Sequence, residues 1–326
     1  MKRDKTRGVH PLELLLDQTV LFLLVAFVIF MAFVKPSFLA WWNIQNILID
    51  VSIYGVVACG MTILIISGEF DLSASSQYMW AQILFVTLLN STGSFLVSAI
   101  VTLASGLVLG TVNGLIVTRF RINSFIATLG TMTMIRGLCL VFTGGKMVST
   151  QHPFIKALGS AEFLGLSSLF YIYLFVLVAI SIILAYTNFG RRFYATGGNP
   201  EVARLAGIDT SRQKTAAFSM MGLLCAIAGI MLVAQLRAGS TQYGTDLALT
   251  CVAATVIGGT RLSGGAGNAL RTALGMLVIV VLYKALIYLG LQAYYQNLVK
   301  GFVLILVVMF DLFISRRRAT MRRERS

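Results

Sequence analysis

The side chains able to do chemistry in this sequence are few, and they fall at the edges of apolar runs. Glu69 and Asp71 stand two residues apart in Ile65-Ile66-Ser67-Gly68-Glu69-Phe70-Asp71-Leu72-Ser73. Paired carboxylates can divide acid–base work, yet no histidine, nucleophile or metal motif stands beside them. Acids next to or within apolar segments are costly and need a partner or a task. Two readings stay open: Asp71 or Ser73 caps the helix that follows, or Ser67, Glu69 and Asp71 line a path for a polar solute. Arg136 lies thirteen residues beyond Asn123, about 20 Å along a helix. A guanidinium at that depth takes a carboxylate or carbonyl partner, or else faces water. With Thr128, Thr131 and Thr133 on the same segment, it either pairs structurally or lines the same path. Lys284 and Lys300, also inside apolar runs, are read as snorkelling to an interface.

Nucleotide and metal chemistry find no support. Val256-Ile257-Gly258-Gly259-Thr260-Arg261-Leu262-Ser263-Gly264-Gly265-Ala266-Gly267-Asn268 is rich in glycine, but Leu270 stands where GxGxxG needs its third glycine. It lacks the lysine of GxxxxGK[ST], and around Gly145-Lys146 that pattern fails at Leu140 and Met147. Gly258, Gly259, Gly264 and Gly265 are read as a tight turn between spans. His10 and His152 are the only histidines, and Cys59, Cys139, Cys225 and Cys251 show no CxxC spacing. No zinc site or disulfide framework is implied, and no cofactor is expected on this chain.

The longest polar stretch, Asn188 to Lys214, reads NFGRRFYATGGNPEVARLAGIDTSRQK. Gly197-Gly198 predicts a flexible turn. Asn199 as N-cap, Pro200 at the first helical position and Glu201 in the first turn predict a short helix, ending at Gly207. Ala203, Leu205, Ala206 and Ile208 offer a small apolar surface among arginines. Such a capped helix is either a docking knob or an amphipathic connector lying on lipid headgroups.

The elements that position these groups follow from composition. Of 326 residues, 57% are hydrophobic and 12% charged, about half the charged fraction of a soluble domain. The surplus apolar surface must face lipid, which makes the fold all-α and polytopic. Ten candidate spans are read, at 19–34, 49–67, 74–90, 95–117, 123–142, 167–186, 214–233, 246–260, 271–289 and 298–314. The first, third and eighth are short or polar at one end, so eight full spans with re-entrant pieces remain an alternative. The first run has no cleavage site and is read as a retained span. The net charge of +14 raises nucleic acid as a partner, but the charges sit in short clusters between apolar runs. Nineteen of the 26 Lys and Arg fall on one side of the predicted topology and four on the other. The positive-inside rule then places both ends in the cytoplasm. One membrane domain is expected over 1–326, with a cytoplasmic segment 1–18, a cytoplasmic loop 188–213 and a basic tail 315–326. Gly106, Gly110 and Gly114, four residues apart, predict a face where two helix backbones pack closely.

Together these segments resemble the permeases of bacterial ribose-type ABC importers, which also serve xylose, arabinose, galactose and autoinducer-2. Ile66 to Ser73 reads ISGEFDLS against that family's ISGxIDLS. Asn123 to Gly137 matches PSFIATLGTMxxxRG with Asn123 in place of proline. Gly197 to Ile208 matches GGNxxAAxxSGI, and Val256 to Gly267 matches VIGGTxLSGGxG. The resemblance covers nearly the whole chain. It departs where the family has GYELDAIAA: the glutamate and aspartate become Ala248 and Thr250. The resemblance implies an inner-membrane permease that moves a monosaccharide or similar small polyol by alternating access. A separate cytoplasmic ATPase would hold ATP and magnesium, and a periplasmic binding protein would deliver the sugar. A second permease chain, identical or different, would complete the path. Asn199, Pro200, Glu201, Ala203, Leu205, Ala206, Gly207 and Ile208 would couple to the ATPase. The competing readings are a branched-chain amino-acid ABC permease, an ion-coupled carrier, which would want an ionisable site at mid-membrane, and a membrane enzyme, for which no catalytic motif is found.

Overall fold

The structure, a computed structural model, describes residues 24–292, 294–303, 305, 306 and 309. The segments 1–18 and 315–326 lie outside these residues, as do parts of the predicted spans 19–34 and 298–314. The helices, in chain order, are α1 (Leu24–Val34), α2 (Trp41–Ile66), α3 (Ala74–Thr92), α4 (Phe95–Arg119), α5 (Ser124–Thr143) and α6 (Pro153–Ser160). They continue with α7 (Ser168–Tyr186), α8 (Asn188–Gly198), α9 (Pro200–Leu205), α10 (Thr210–Leu236), α11 (Leu247–Ile257), α12 (Ala269–Tyr288) and α13 (294–303). The only strands among the described residues are two-residue pieces: β1 (Val148–Ser149) pairs antiparallel with β4 (Ala238–Gly239), and β2 (Glu162–Phe163) with β3 (Leu166–Ser167).

Among the described residues, six helices are long and apolar enough to cross a bilayer: α2, α4, α5, α7, α10 and α12. α3 has 19 residues but opens with Ala74-Ser75-Ser76-Gln77-Tyr78, all buried. It tolerates these polar groups because it is wrapped by α4, α5 and α10 rather than by lipid. α11 corrects the predicted span 246–260. At 11 residues it reaches about 16 Å, half the hydrocarbon thickness. Its N-terminus starts deep in the bundle, where Ala248 N donates to Ser75 Oγ at 2.9 Å. The count of ten spans is not reached among the described residues, and α11 has the form of a re-entrant piece.

α2 and α10 form the centre, and α4 and α5 the least buried flank. The Gly106, Gly110 and Gly114 face packs as expected. A Cβ at Gly106 would stand 2.5 Å from Gly222 O, and one at Gly110 2.2 Å from Phe218 O. Only glycine lets α4 and α10 approach backbone to backbone. The antiparallel pairing also puts the C-terminus of α4 beside the N-terminus of α10. The C-terminus of α2, with α8, α9 and the turn between α11 and α12, joins them at one end of the bundle. That end carries Arg119, Arg121, Arg191, Arg192, Arg204, Arg212, Lys214, Arg261 and Arg271. The opposite end is closed by the β1–β4 and β2–β3 pairs and α6.

Candidate functional site

Three of the sequence segments meet at the basic end. α2 stops at Ile66, and Gly68 turns the chain at φ +79°. Against it lie Gly197 and Gly198 at the end of α8, and Gly264 and Gly265 in the turn before α12. Gly265 N donates to Ile66 O at 2.9 Å. A Cβ at Gly197 would come within 1.9 Å of Ile66 O, and one at Gly265 within 2.5 Å of Gly198 Cα. Gly264 is itself at φ +83°, and a Cβ there would stand 2.8 Å from Gly197 O and 3.1 Å from Gly68 Cα. The expectation of a flexible turn at Gly197-Gly198 is therefore corrected. Both are the last residues of a helix, and glycine is needed there for close approach rather than for freedom. Gly258 is also packed, against Arg271 O, whereas Gly259 meets nothing within 4 Å and serves the turn at φ +83°. Tyr194 of α8 stitches the junction by donating from its hydroxyl to Gly267 O at 2.9 Å, and burial raises its phenol above the ordinary value.

Glu69 and Asp71 do not act as a pair. Glu69 accepts from Lys214 Nζ of α10 at 2.5 Å. Asp71 is fully buried and turns the other way, accepting at Oδ1 from Ser73 N and Ser73 Oγ and at Oδ2 from Gln77 Nε2 at 2.9 Å. Asn113 of α4 donates to Ser73 Oγ at 2.7 Å. Ser73 occupies the cap position of α3 but makes no side-chain cap bond, so neither residue caps in the expected way. Asp71 instead orders the loop that enters α3. Ser67 Oγ bonds back to Ile63 O. α5 leans on the same loop: Thr128 Oγ1 accepts from Leu72 N at 3.1 Å, and Ser124 Oγ from Phe70 N at 3.5 Å.

The structure thus gathers Ser67, Glu69, Asp71 and Thr128 at one loop and leaves Arg136 apart. Arg136 is eight residues beyond Thr128, about 12 Å along α5. It is exposed, shares that exposed side with Thr133, and its guanidinium makes no hydrogen bond or ion pair among the described residues. Thr131 is half-buried and bonds back to Thr128 O.

α9 has the predicted cap. Asn199 Oδ1 accepts from Glu201 N at 3.0 Å and Val202 N at 3.1 Å, Pro200 holds the first position, and Gly207 follows at φ +80°. Its apolar face is not the predicted one. Ala203 is 3% exposed and belongs to the interior, while Leu205 is 89% and Val202 58% exposed. Ala206 and Gly207 are exposed and Ile208 is half-buried. Val202 was missed because Glu201-Val202-Ala203 gives no period long enough to fix a face.

Two further groups escaped the sequence reading. Lys284 and Lys300 do not snorkel: Lys284 Nζ lies 2.7 Å from Asp50 Oδ2, and Lys300 Nζ 2.8 Å from Asp246 Oδ2 and 4.9 Å from the Tyr283 ring centre. With Tyr54 and Thr250, the second pair lines a cavity of about 60 Å³ at the start of α11. Asp246, one turn before Thr250, supplies the acid of this cavity. At the basic end a larger cavity, about 880 Å³, lies between the loop at 68–70, the α4–α5 turn, α9 and the start of α10. No group of three or more His, Cys, Asp or Glu that could hold a metal occurs among the described residues.

Comparison with known proteins adds the lineage. A family model described as branched-chain amino acid transport system / permease component matches residues 43–308. The ribose import permease protein of Bacillus subtilis is 38% identical over 287 residues, covering 87% of this chain and 89% of that protein. The ribose import permease protein of Escherichia coli K12 is 34% identical, covering 91% and 94%. The L-arabinose transport system permease protein of Escherichia coli K12 is 34% identical, covering 87% of each chain. No solved structure matches.

Proposed function

The chain belongs to the branched-chain amino acid transport system / permease component family, alongside ribose and arabinose import permeases, and from that premise we propose how it works. It is a transport component rather than an enzyme. In this reading it is the membrane subunit of an inner-membrane ABC importer that carries a monosaccharide or similar small polyol. The basic end faces the cytoplasm, as the positive-inside rule requires. A separate ATPase holds ATP and magnesium, a periplasmic binding protein delivers the sugar, and a second permease chain completes the path.

The observation that carries this reading is the junction of Gly68, Gly197, Gly198, Gly264 and Gly265. It ties the end of α8, from which α9 follows directly, to the end of α2 and the turn before α12 through backbone contact, with almost no compressible side chain between them. α9 presents Val202 and Leu205 outward as the part seated in a groove of the ATPase. Movement of α9 then displaces the 67–73 loop and the 258–268 turn together, and with them the inner mouth of the path between α3 and α5. That is a rigid-element route for alternating access. Arg136, exposed and with no side-chain partner among the described residues, fits a water-filled path or a facing second chain, because a guanidinium directed at lipid is costly.

Branched-chain amino acids are the second reading, favoured by the description of the matched family. An ion-coupled carrier is disfavoured, since Asp50, Glu69, Asp71 and Asp246 all have partners. The test is uptake by reconstituted permease, ATPase and binding protein. Labelled pentoses or hexoses should accumulate only with ATP and all components present. Accumulation of leucine, isoleucine or valine instead, or accumulation driven by an ion gradient without ATP, refutes the sugar-importer reading.

A further inference from the structure

The 880 Å³ cavity at the basic end lies within the size range of small-molecule sites. Arg121, Arg204 and Lys214 line it, with the hydroxyls of Thr118, Ser124 and Thr210. Glu69 is the one acid among its lining residues, and Lys214 already neutralises it at 2.5 Å. The guanidinium groups of Arg121 and Arg204 make no hydrogen bond or ion pair among the described residues. The cavity therefore carries a net charge of +2 in two guanidinium groups with unused donors. Arg121 is held at φ +56°, a left-handed conformation that is unfavourable for a residue with a Cβ. Guanidinium groups match the oxygens of a phosphate with paired, charge-assisted hydrogen bonds, and the hydroxyls suit a polyol.

We propose that this cavity is a binding site for a phosphate monoester of a small polyhydroxylated molecule, with Arg121 and Arg204 gripping the phosphate. A phosphate monoester carries close to two negative charges near neutral pH, which balances the site. Arg204 and Pro200 bring α9 into the cavity wall, while Arg121 belongs to the α4–α5 turn. An occupant bridging the two arginines ties α9 to the body of the permease. Around the axis of α9, Val202 and Leu205 stand about 160° and 100° from Arg204, so the outward face stays open when the cavity is filled. The occupant would thus restrain α9 without displacing a docked partner. This regulatory consequence rests on the coupling role proposed for α9; the binding itself does not.

The first test uses the chain alone, in nanodiscs of zwitterionic phosphatidylcholine, titrated with ribose 5-phosphate by calorimetry. Saturable binding is expected, at least tenfold weaker in Arg121→Gln/Arg204→Gln and unchanged in Arg191→Gln, a basic residue of the same end outside the cavity. Matching unfolding temperatures show that the variants fold. A parallel titration in phosphatidylglycerol nanodiscs separates the two sources of phosphate. Loss of sugar-phosphate binding there, with the double variant insensitive to lipid, assigns the same site to the phosphodiester of a lipid headgroup and overturns the monoester. Absence of saturable binding in phosphatidylcholine, or equal binding by the double variant, overturns the site. The second test adds the ATPase. Ribose 5-phosphate should slow hydrolysis by the wild-type complex at least threefold. Binding without any change in hydrolysis overturns the restraint on α9 and leaves the importer reading to its own uptake test.

Discussion

Replacing Leu205 by alanine should weaken ATPase binding while leaving the permease intact. Leu205 is 89% exposed on a six-residue helix that Asn199 and Pro200 hold rigid. An anchor of this kind contributes only when a groove covers it. Burying a leucine side chain is worth about 1.5–3 kcal/mol, so truncation to alanine should raise the dissociation constant about ten- to 150-fold. Val202→Ala removes less surface and should cost less. The measurement is a titration of purified ATPase against permease in nanodiscs, with membrane level and unfolding temperature read in parallel. Ala203→Glu is the instructive contrast. Ala203 is 3% exposed, so its replacement drives a carboxylate into the permease and lowers the amount of folded protein before any docking is tested. An unchanged dissociation constant in both Leu205→Ala and Val202→Ala would refute α9 as the docking element.

Gly197→Ala should lower stability by about 1–3 kcal/mol and abolish uptake, because its Cβ would meet Ile66 O at 1.9 Å and break the Gly265 N to Ile66 O bond. Gly130→Ala, with nothing within 4 Å, is the matched control, and equal unfolding temperatures in the two would show that the junction yields. Arg136→Ala should reach the membrane at normal level yet lose uptake at least tenfold; uptake at the wild-type rate would remove Arg136 from the path. Lys284→Met should destabilise more than the double change with Asp50→Asn, since the single variant strands a carboxylate; additive unfolding free energies would show no coupling across the pair. Cys59, Cys139, Cys225 and Cys251 are all buried, so maleimide should label none of them in the folded protein and all four after denaturation in detergent.

Local signals were readable and long-range ones were not. The cap at Asn199, the stop at Gly207 and the glycine face of α4 rest on neighbours within one or two turns, and the structure has them. The half-length of α11 stays open in the sequence, where 246–260 fits a short span or a re-entrant piece, because an apolar run of 15 residues looks the same whether it crosses the bilayer or dips into it. α3 was marked as polar at one end, but its burial depends on α4, α5 and α10 closing around it. Lys284 and Lys300 find their partners 234 and 54 residues away. A lysine in an apolar run has the same sequence signature whether it snorkels or pairs. On α9, the side that faces outward depends on how α8 and α10 hold so short a helix, and this is why Ala203 was misplaced and Val202 overlooked.

The glycine motifs show how several local readings acquire one cause. Taken singly, Gly68 is a helix stop, Gly197-Gly198 a turn, and Gly258 to Gly265 a tight re-entry. In the folded chain, five of these glycines stand where three backbones cross, and a Cβ added at Gly197, Gly264 or Gly265 would come within 2.8 Å of a neighbour's backbone. A contact made of backbone alone has little slack, because it has no rotamer to adjust. The end of α8, the 67–73 loop and the 258–268 turn are therefore held together as one unit. Larger side chains at these positions would separate the three segments and let each move alone. The spacing of glycine across about 200 residues of sequence thus specifies a mechanical connection, and its physical reason becomes visible only when α2, α8 and the turn before α12 are placed together.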